Sequence, residues 1–138
     1  MQTEILNKTL QNRSINPTAM RLLVLDKLMN AEVALSLADL EIEMDQADRV
    51  TIYRTLKTFE ENKLIHSIED GTGSIKYALC ESSCKCTPEF THAHFHCNNC
   101  NQTFCLRNIH VPEIKLPKNF EAEQSSFILK GICDQCKQ

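Results

Sequence analysis

The sequence predicts an α+β protein, with an N-terminal winged helix-turn-helix followed by a small C-terminal α/β domain built round a four-cysteine cluster. Three observations lead there. Helical periodicity fills the first half and gives way to a strand–turn–strand pattern. Cys-x-x-Cys occurs twice, at Cys97/Cys100 and Cys133/Cys136. The first pair is entered through Thr91-His92-Ala93-His94-Phe95-His96, and on an extended strand such alternation puts His92, His94 and His96 on one face.

In chain order, Met1 to about Gln11 reads as a first helix with Ile5, Leu6 and Leu10 on one side. Asn16-Pro17-Thr18 is a turn, and Thr18 caps a strongly apolar helix from Ala19 to about Asn30, with Met20, Leu23, Val24, Lys27 and Leu28 at helical spacing. Ser36 caps a short third helix, Leu37 to about Met44, and Asp48 caps a fourth from Arg49 to about Asn62. Val50, Tyr53, Leu56, Lys57 and Phe59 are assigned to the inner arc of the fourth. Leu64–Ile68, a Glu69–Gly73 turn and Ser74–Leu79 then form a hairpin. Helices followed by a hairpin make a winged helix, whose fourth helix would enter the DNA major groove. Arg49 and Arg54 suit phosphate or guanine edges, and Thr51 and Tyr53 suit thymine methyls. Basic residues on a helix are also compatible with a plain solvated face, since Asp48, Glu60 and Glu61 flank them; the hairpin favours the DNA reading.

Composition changes at Cys80. Residues 81–90 are turn formers without apolar period and read as a linker between domains 1–80 and 91–138. Thr103 to Arg107 is a short strand, a helical turn falls between Val111 and Pro117, and Phe120 to Ile132 is a longer strand. The chain has 138 residues, eight cysteines and a net charge of −3. No apolar run reaches the ~18 residues of a membrane helix, and no signal peptide opens the chain, so a cytoplasmic location is expected. In a reducing compartment paired knuckles favour metal over disulfides. Four thiolates match tetrahedral Zn²⁺ with no open position, which makes Cys97, Cys100, Cys133 and Cys136 a structural site. The acidic balance means that any DNA contact comes from a local patch. An enzyme, either a zinc hydrolase or a thiol oxidoreductase, lacks support: no carboxylate base lies near the histidine run, and no nucleophile–base pair is visible.

Thr18-Ala19-Met20-Arg21, Val50-Thr51-Ile52-Tyr53-Arg54-Thr55-Leu56, Tyr77-Ala78-Leu79, the histidine run into Cys97-Asn98-Asn99-Cys100 and the final Cys-x-x-Cys follow one another in an order that resembles the ferric uptake regulator family of metal-dependent repressors. The resemblance spans nearly the whole chain. It implies a homodimer paired through the C-terminal sheets, binding a palindromic double-stranded DNA operator when metal fills a site at the inter-domain hinge. It further implies DNA contacts from Tyr53 and Arg54 and a backbone contact from Arg21, with no membrane or small-molecule substrate involved.

The resemblance also bears on the sensed metal. Zinc-responsive members take an acidic residue fourteen positions before a hinge cysteine, that cysteine, and two histidines of the run, and in this chain a histidine replaces the carboxylate. Here these positions are His66, Cys80, His92 and His94, an N/S set suited to Zn²⁺. The histidine that iron and manganese branches take from the first domain is Ala34, and their carboxylate after the knuckle is Cys105. Both departures move away from Fe²⁺ and Mn²⁺. The alternative is an iron-, manganese- or peroxide-responsive regulator with Cys105 or Glu81 in place of Cys80. A further family site falls on Thr91 and Ala93 and is expected to be missing. Cys84, Cys86 and Cys105 have no secure counterpart in the family and stay open as added or alternative hinge ligands or as oxidisable thiols, and His96 stays open between core and surface.

Overall fold

A computed structural model of the chain describes residues 2–45, 47–79, 92–111, 114–123 and 127–137. Four helices come first: α1 (Gln2–Gln11), α2 (Ala19–Asn30), α3 (Leu37–Glu43) and α4 (Arg49–Glu61). A two-residue strand, β1 (Leu35–Ser36), precedes α3, and a hairpin of β2 (Ile65–Glu69) and β3 (Ile75–Leu79) follows α4. The C-terminal part holds β4 (His92–Cys97), β5 (Thr103–His110), β6 (Phe127–Gly131) and a terminal turn of helix, α5 (Asp134–Lys137). Among the described residues, no helix is long and apolar enough to cross a membrane.

Local chemistry sets the helix ends. The Thr18 hydroxyl accepts the Arg21 amide, supplying one of the acceptors that a helix start lacks. Ser36 and Asp39 form a reciprocal capping box on α3, each side chain accepting the other's backbone amide. Asp48 occupies the cap position of α4 without a side-chain hydrogen bond. After α4, Lys63 adopts φ 64°. The Leu64 amide then reaches the Phe59 carbonyl at 2.9 Å and the Lys63 amide reaches that of Glu60 at 3.1 Å, a Schellman stop that turns the chain into β2. Ser36→Ala is expected to lower unfolding stability by about 1 kcal/mol, read as a shift of the denaturant midpoint at constant slope.

The main core lies among the helices and the hairpin, with Leu10, Val24, Leu25, Leu40, Ile52, Leu56 and Phe59 fully buried. The inner stripe of α4 is Ile52, Thr55, Leu56 and Phe59, the i, i+3, i+4, i+7 row of one helical face. Val50 and Tyr53 were expected on that face and are instead exposed, because they lie off the row. Leu23 and Ile5 are exposed for the same reason, leaving Leu25 and Leu6 to fill the interior.

Two three-stranded sheets result, in orders β1-β3-β2 and β5-β4-β6. β4 runs antiparallel to β5 and parallel to β6. Strand β6 is shorter than the Phe120–Ile132 expected, since Lys118 and Asn119 make a turn, residues 120–123 carry no strand and the ladder to β4 opens at Phe127. The described residues between Val111 and Pro117 contain no helical turn. The sheets meet where the Ala34 amide donates to the Thr103 carbonyl at 2.8 Å. Ile128 of β6 packs there against Ala34, Ile68 and Ala78.

Candidate metal centres and nucleic-acid face

Strand register brings the two Cys-x-x-Cys knuckles together. Cys97, the last residue of β4, pairs with Gly131, the last of β6, so Cys133 and Cys136 emerge beside Cys97 and Cys100. The four sulfurs all lie within 4.8 Å of one another. Cys100 and Cys133 sulfurs are 3.9 Å apart, close to the ~3.8 Å edge of a tetrahedron with zinc–sulfur bonds of about 2.3 Å. Cys97 Sγ accepts amides from Cys100 at 3.5 Å and Cys133 at 3.4 Å. Those N–H groups lower the Cys97 thiol to about 6, whereas burial pushes the Cys133 thiol up. Such a set cannot become fully ionised without a cation among the sulfurs, and the donors fit Zn²⁺.

A second cluster spans the two sheets. In β4 and β5, His94 sits opposite Cys105 and His96 opposite Thr103. His66 of β2 comes across from the hairpin, its Nε2 3.2 Å from His94 Nε2 and 4.0 Å from Cys105 Sγ. All three ligand atoms lie within 4.8 Å of one another. A zinc ion with Zn–N near 2.0 Å and Zn–S near 2.3 Å needs N···N of about 3.3 Å and N···S of about 3.6 Å, so the donors fit with a small inward movement of the thiol. Of the expected hinge ligands, His66 and His94 are therefore together. Cys80 and the side chain of His92 lie outside the described residues; the His92 backbone pairs with His110 across a bulge. The sequence leaves Cys105 open as an added or alternative ligand, because its meeting with His94 depends on the hairpin register. A hairpin turning at the knuckle carries that information, but composition does not.

His96 had also been left open. It is buried and belongs to a polar network centred on Asp70, which is 1% exposed. Asp70 accepts from the Thr103 hydroxyl at 2.6 Å, the Thr72 hydroxyl at 2.6 Å and the Lys76 ammonium at 3.0 Å. His96 Nδ1 lies 3.0 Å from Thr103 Oγ1 and 3.4 Å from Asp70 Oδ2. Thr103 spends its single hydroxyl proton on Asp70, so His96 Nδ1 must be the donor to Thr103 Oγ1. Burial works against the Asp70 carboxylate, yet hydrogen bonds from Thr103, Thr72 and Lys76 outweigh it and hold the carboxyl well below the usual range.

On α4, Arg49, Thr51, Tyr53 and Arg54 are all exposed, and the Lys57 ammonium lies over the Tyr53 ring at 5.5 Å. Arg21 donates through Nη1 to the Asn16 carbonyl at 2.8 Å, which fixes it against the turn before α2.

Comparison with known proteins agrees with this architecture. The chain is 26% identical over 146 residues to the ferric uptake regulation protein of Campylobacter jejuni, covering 96% of this chain and 87% of that one. A zinc uptake regulator complexed with zinc and DNA superposes with a TM-score of 0.67 at 22% identity, covering 99% of this chain and 95% of that one. The Helicobacter pylori ferric uptake regulator, described as having three functional metal-binding sites, gives a TM-score of 0.58 at 14% identity over 99% and 92% of the two chains. At those identities the structures share the fold. The profile of the ferric uptake regulator family matches residues 12–133. The chain belongs to the ferric uptake regulator family, whose members regulate transcription and are not enzymes.

Proposed function

We propose that this chain is a zinc-responsive transcriptional repressor, active in the cytoplasm as a homodimer on a palindromic operator. The observation that carries the reading is the His66/His94/Cys105 cluster, two imidazoles and a thiol drawn from both sheets. A mixed nitrogen and sulfur set favours zinc over the oxygen-rich coordination that suits manganese and magnesium. Cys80, next in sequence after β3, and His92, the first residue of β4, are the candidates for completing the coordination. Residues 1–80 act as a winged-helix DNA-binding domain, 81–90 as the hinge and 91–138 as the dimerisation domain. The Cys97/Cys100/Cys133/Cys136 zinc is structural.

The mechanism follows from linkage. Metal that binds only when the hairpin and the C-terminal sheet are together shifts the chain toward that arrangement, by no more than its differential affinity. The zinc supplies the cross-link, and the chain's own residues do the rest. His66 brings the hairpin, while His94 and Cys105 bring the C-terminal sheet. The exposed face of α4 is thereby held at one spacing from its copy in the dimer. Pairing is supported by the exposed apolar residues Ile114, Leu116, Phe120, Phe127, Leu129 and Ile132 in the C-terminal part, which a single chain leaves in water. On α4, Arg54 and Arg49 provide the cations and Tyr53 and Thr51 the contacts for base edges. Arg54→Ala is expected to weaken operator binding by about 1–3 kcal/mol, with a shallower salt dependence. The experiment is operator retention at buffered free zinc, ferrous iron and manganese. Restoration of binding by zinc alone supports the reading, and restoration by iron or manganese with zinc silent overturns it.

A further inference from the structure

The ligands of the proposed sensor are not the only residues that join the two sheets. Each strand contributing a ligand also contributes, on the same face, a residue to the Asp70 network. β4 carries His94 and His96, β5 carries Cys105 and Thr103, and the chain of β2 carries His66 and then Asp70 just beyond its end. Alternate residues of a strand stand about 6.6 Å apart, so on β4 and β5 the network lies one side-chain row from the ligands. On the hairpin side it lies two rows away, with Ile68 between His66 and Asp70 and packed in the apolar cluster joined by Ile128. The contact between the sheets thus has ligands at one end and a buried polar knot at the other.

The knot has its own cation. Lys76 Nζ reaches Asp70 Oδ2 at 3.0 Å, the Ser74 carbonyl at 3.3 Å and Thr72 Oγ1 at 3.4 Å, so each of the three ammonium protons has an oxygen acceptor. The Asp70 charge is neutralised within the hairpin, and its remaining capacity is turned on the C-terminal sheet through Thr103 and His96. Next to it, Gly71 has φ 86°, and the tip of the Lys130 side chain of β6 reaches the same turn.

We infer that Asp70, Lys76, Thr103 and His96 form a metal-independent tie between the hairpin and the C-terminal sheet, and that this tie positions His66 opposite His94 and Cys105 before zinc arrives. The inference rests on the reading of that trio as the sensor. Its consequence is that ordering of the hinge is partly met in advance by protein groups, so zinc affinity depends on residues that never touch the metal. A half-formed binding site needs less ordering by its ligand.

The test uses the full-length protein and Zn²⁺ delivered from a competing chelator buffer. Asp70→Asn removes the charge, Thr103→Val removes the hydroxyl at constant shape, and Thr103→Ser restores it. Retention of the four-cysteine zinc and an unchanged helical spectrum identify variants that have folded. The expected result is sensor-zinc affinity roughly ten- to a hundredfold weaker for Asp70→Asn and Thr103→Val, with Thr103→Ser matching the parent. Hairpin amides 65–79 should also exchange faster in those two variants while the sensor site is metal-free. Equal zinc affinity and equal exchange across all four proteins would overturn the tie. If the parent takes up no second zinc, the sensor reading fails separately, and the exchange comparison alone decides whether the tie exists.

Discussion

Cys133→Ser is expected to abolish zinc binding at the four-cysteine cluster and to unfold the C-terminal sheet, while the helical part of the chain stays folded. Among the described residues, the main core draws its buried members from Leu6 to Tyr77 and takes none from the C-terminal strands. The C-terminal sheet, by contrast, leaves Phe127 and Leu129 of β6 largely exposed, and its order depends on β6 being pinned to β4. Cys97 at the end of β4 and Cys133 just after β6 are that pin. Structural zinc in small domains contributes roughly 10–16 kcal/mol of folding free energy at neutral pH, more than the rest of so small a sheet supplies. Circular dichroism should retain the helical signal, with strand signals of residues 92–131 lost from the amide spectrum and zinc content falling by both ions, since His94 and Cys105 lie on the same sheet. The same logic fixes the direction of the pH effect. In the metal-free fold the Cys97 thiol lies below its ordinary value of 9.0, at about 6. Its thiolate therefore stabilises the fold at and above the ordinary value, and that contribution is lost as pH falls through about 6. Zinc retention should fall with it, since the ligands must be deprotonated. A Cys133→Ser protein with full zinc and an intact C-terminal sheet would remove the structural role assigned to the cluster.

How much of this was legible in the sequence differs between the two metal centres. The four-cysteine cluster is written twice in local spacing, and each knuckle is nearly complete before the chain folds. The capping residues Thr18 and Ser36 are equally local, as is the turn at Gly71. The inner stripe of α4 was misplaced because Val50 and Tyr53 are apolar enough to mimic a core row, and only packing distinguishes them from Ile52 and Thr55. The polar knot was invisible for a different reason. Asp70 reads as a turn residue and Lys76 as a solvent-facing strand residue, and nothing in either neighbourhood announces that Thr103 and His96 will bury them. The trio at the hinge stands between these cases. His66 and His94 came from a family resemblance, whereas Cys105 required the register of the β4–β5 hairpin, in which a shift of one residue would send it to the opposite face.

His94→Ala is expected to remove most of the zinc-dependent gain in operator affinity while leaving the four-cysteine zinc in place. Metal content should fall from two to one per chain. Couplings between an effector and a second ligand commonly amount to 1–3 kcal/mol, about 5- to 150-fold, and that range bounds what losing the sensor can cost. His94 is the residue to change first because it is 6% exposed and lies 3.2 Å from His66 across the two sheets. Removing it leaves two donors, His66 and Cys105, in place of three. Cys105→Ser then tests what the sequence left open. A serine hydroxyl keeps the shape and gives up the thiolate that favours zinc, so the second zinc should weaken by at least tenfold if Cys105 is a ligand, which corresponds to about 1.4 kcal/mol. If Cys105→Ser keeps the parent affinity while Cys80→Ser loses it, the sulfur belongs to Cys80 and the ligand set is His66, Cys80, His92 and His94. Weakening in both would mean that two thiolates share the ion. Such a set of two nitrogens and two sulfurs, His66, His94, Cys80 and Cys105, would fill the four positions that zinc prefers and leave none for a water.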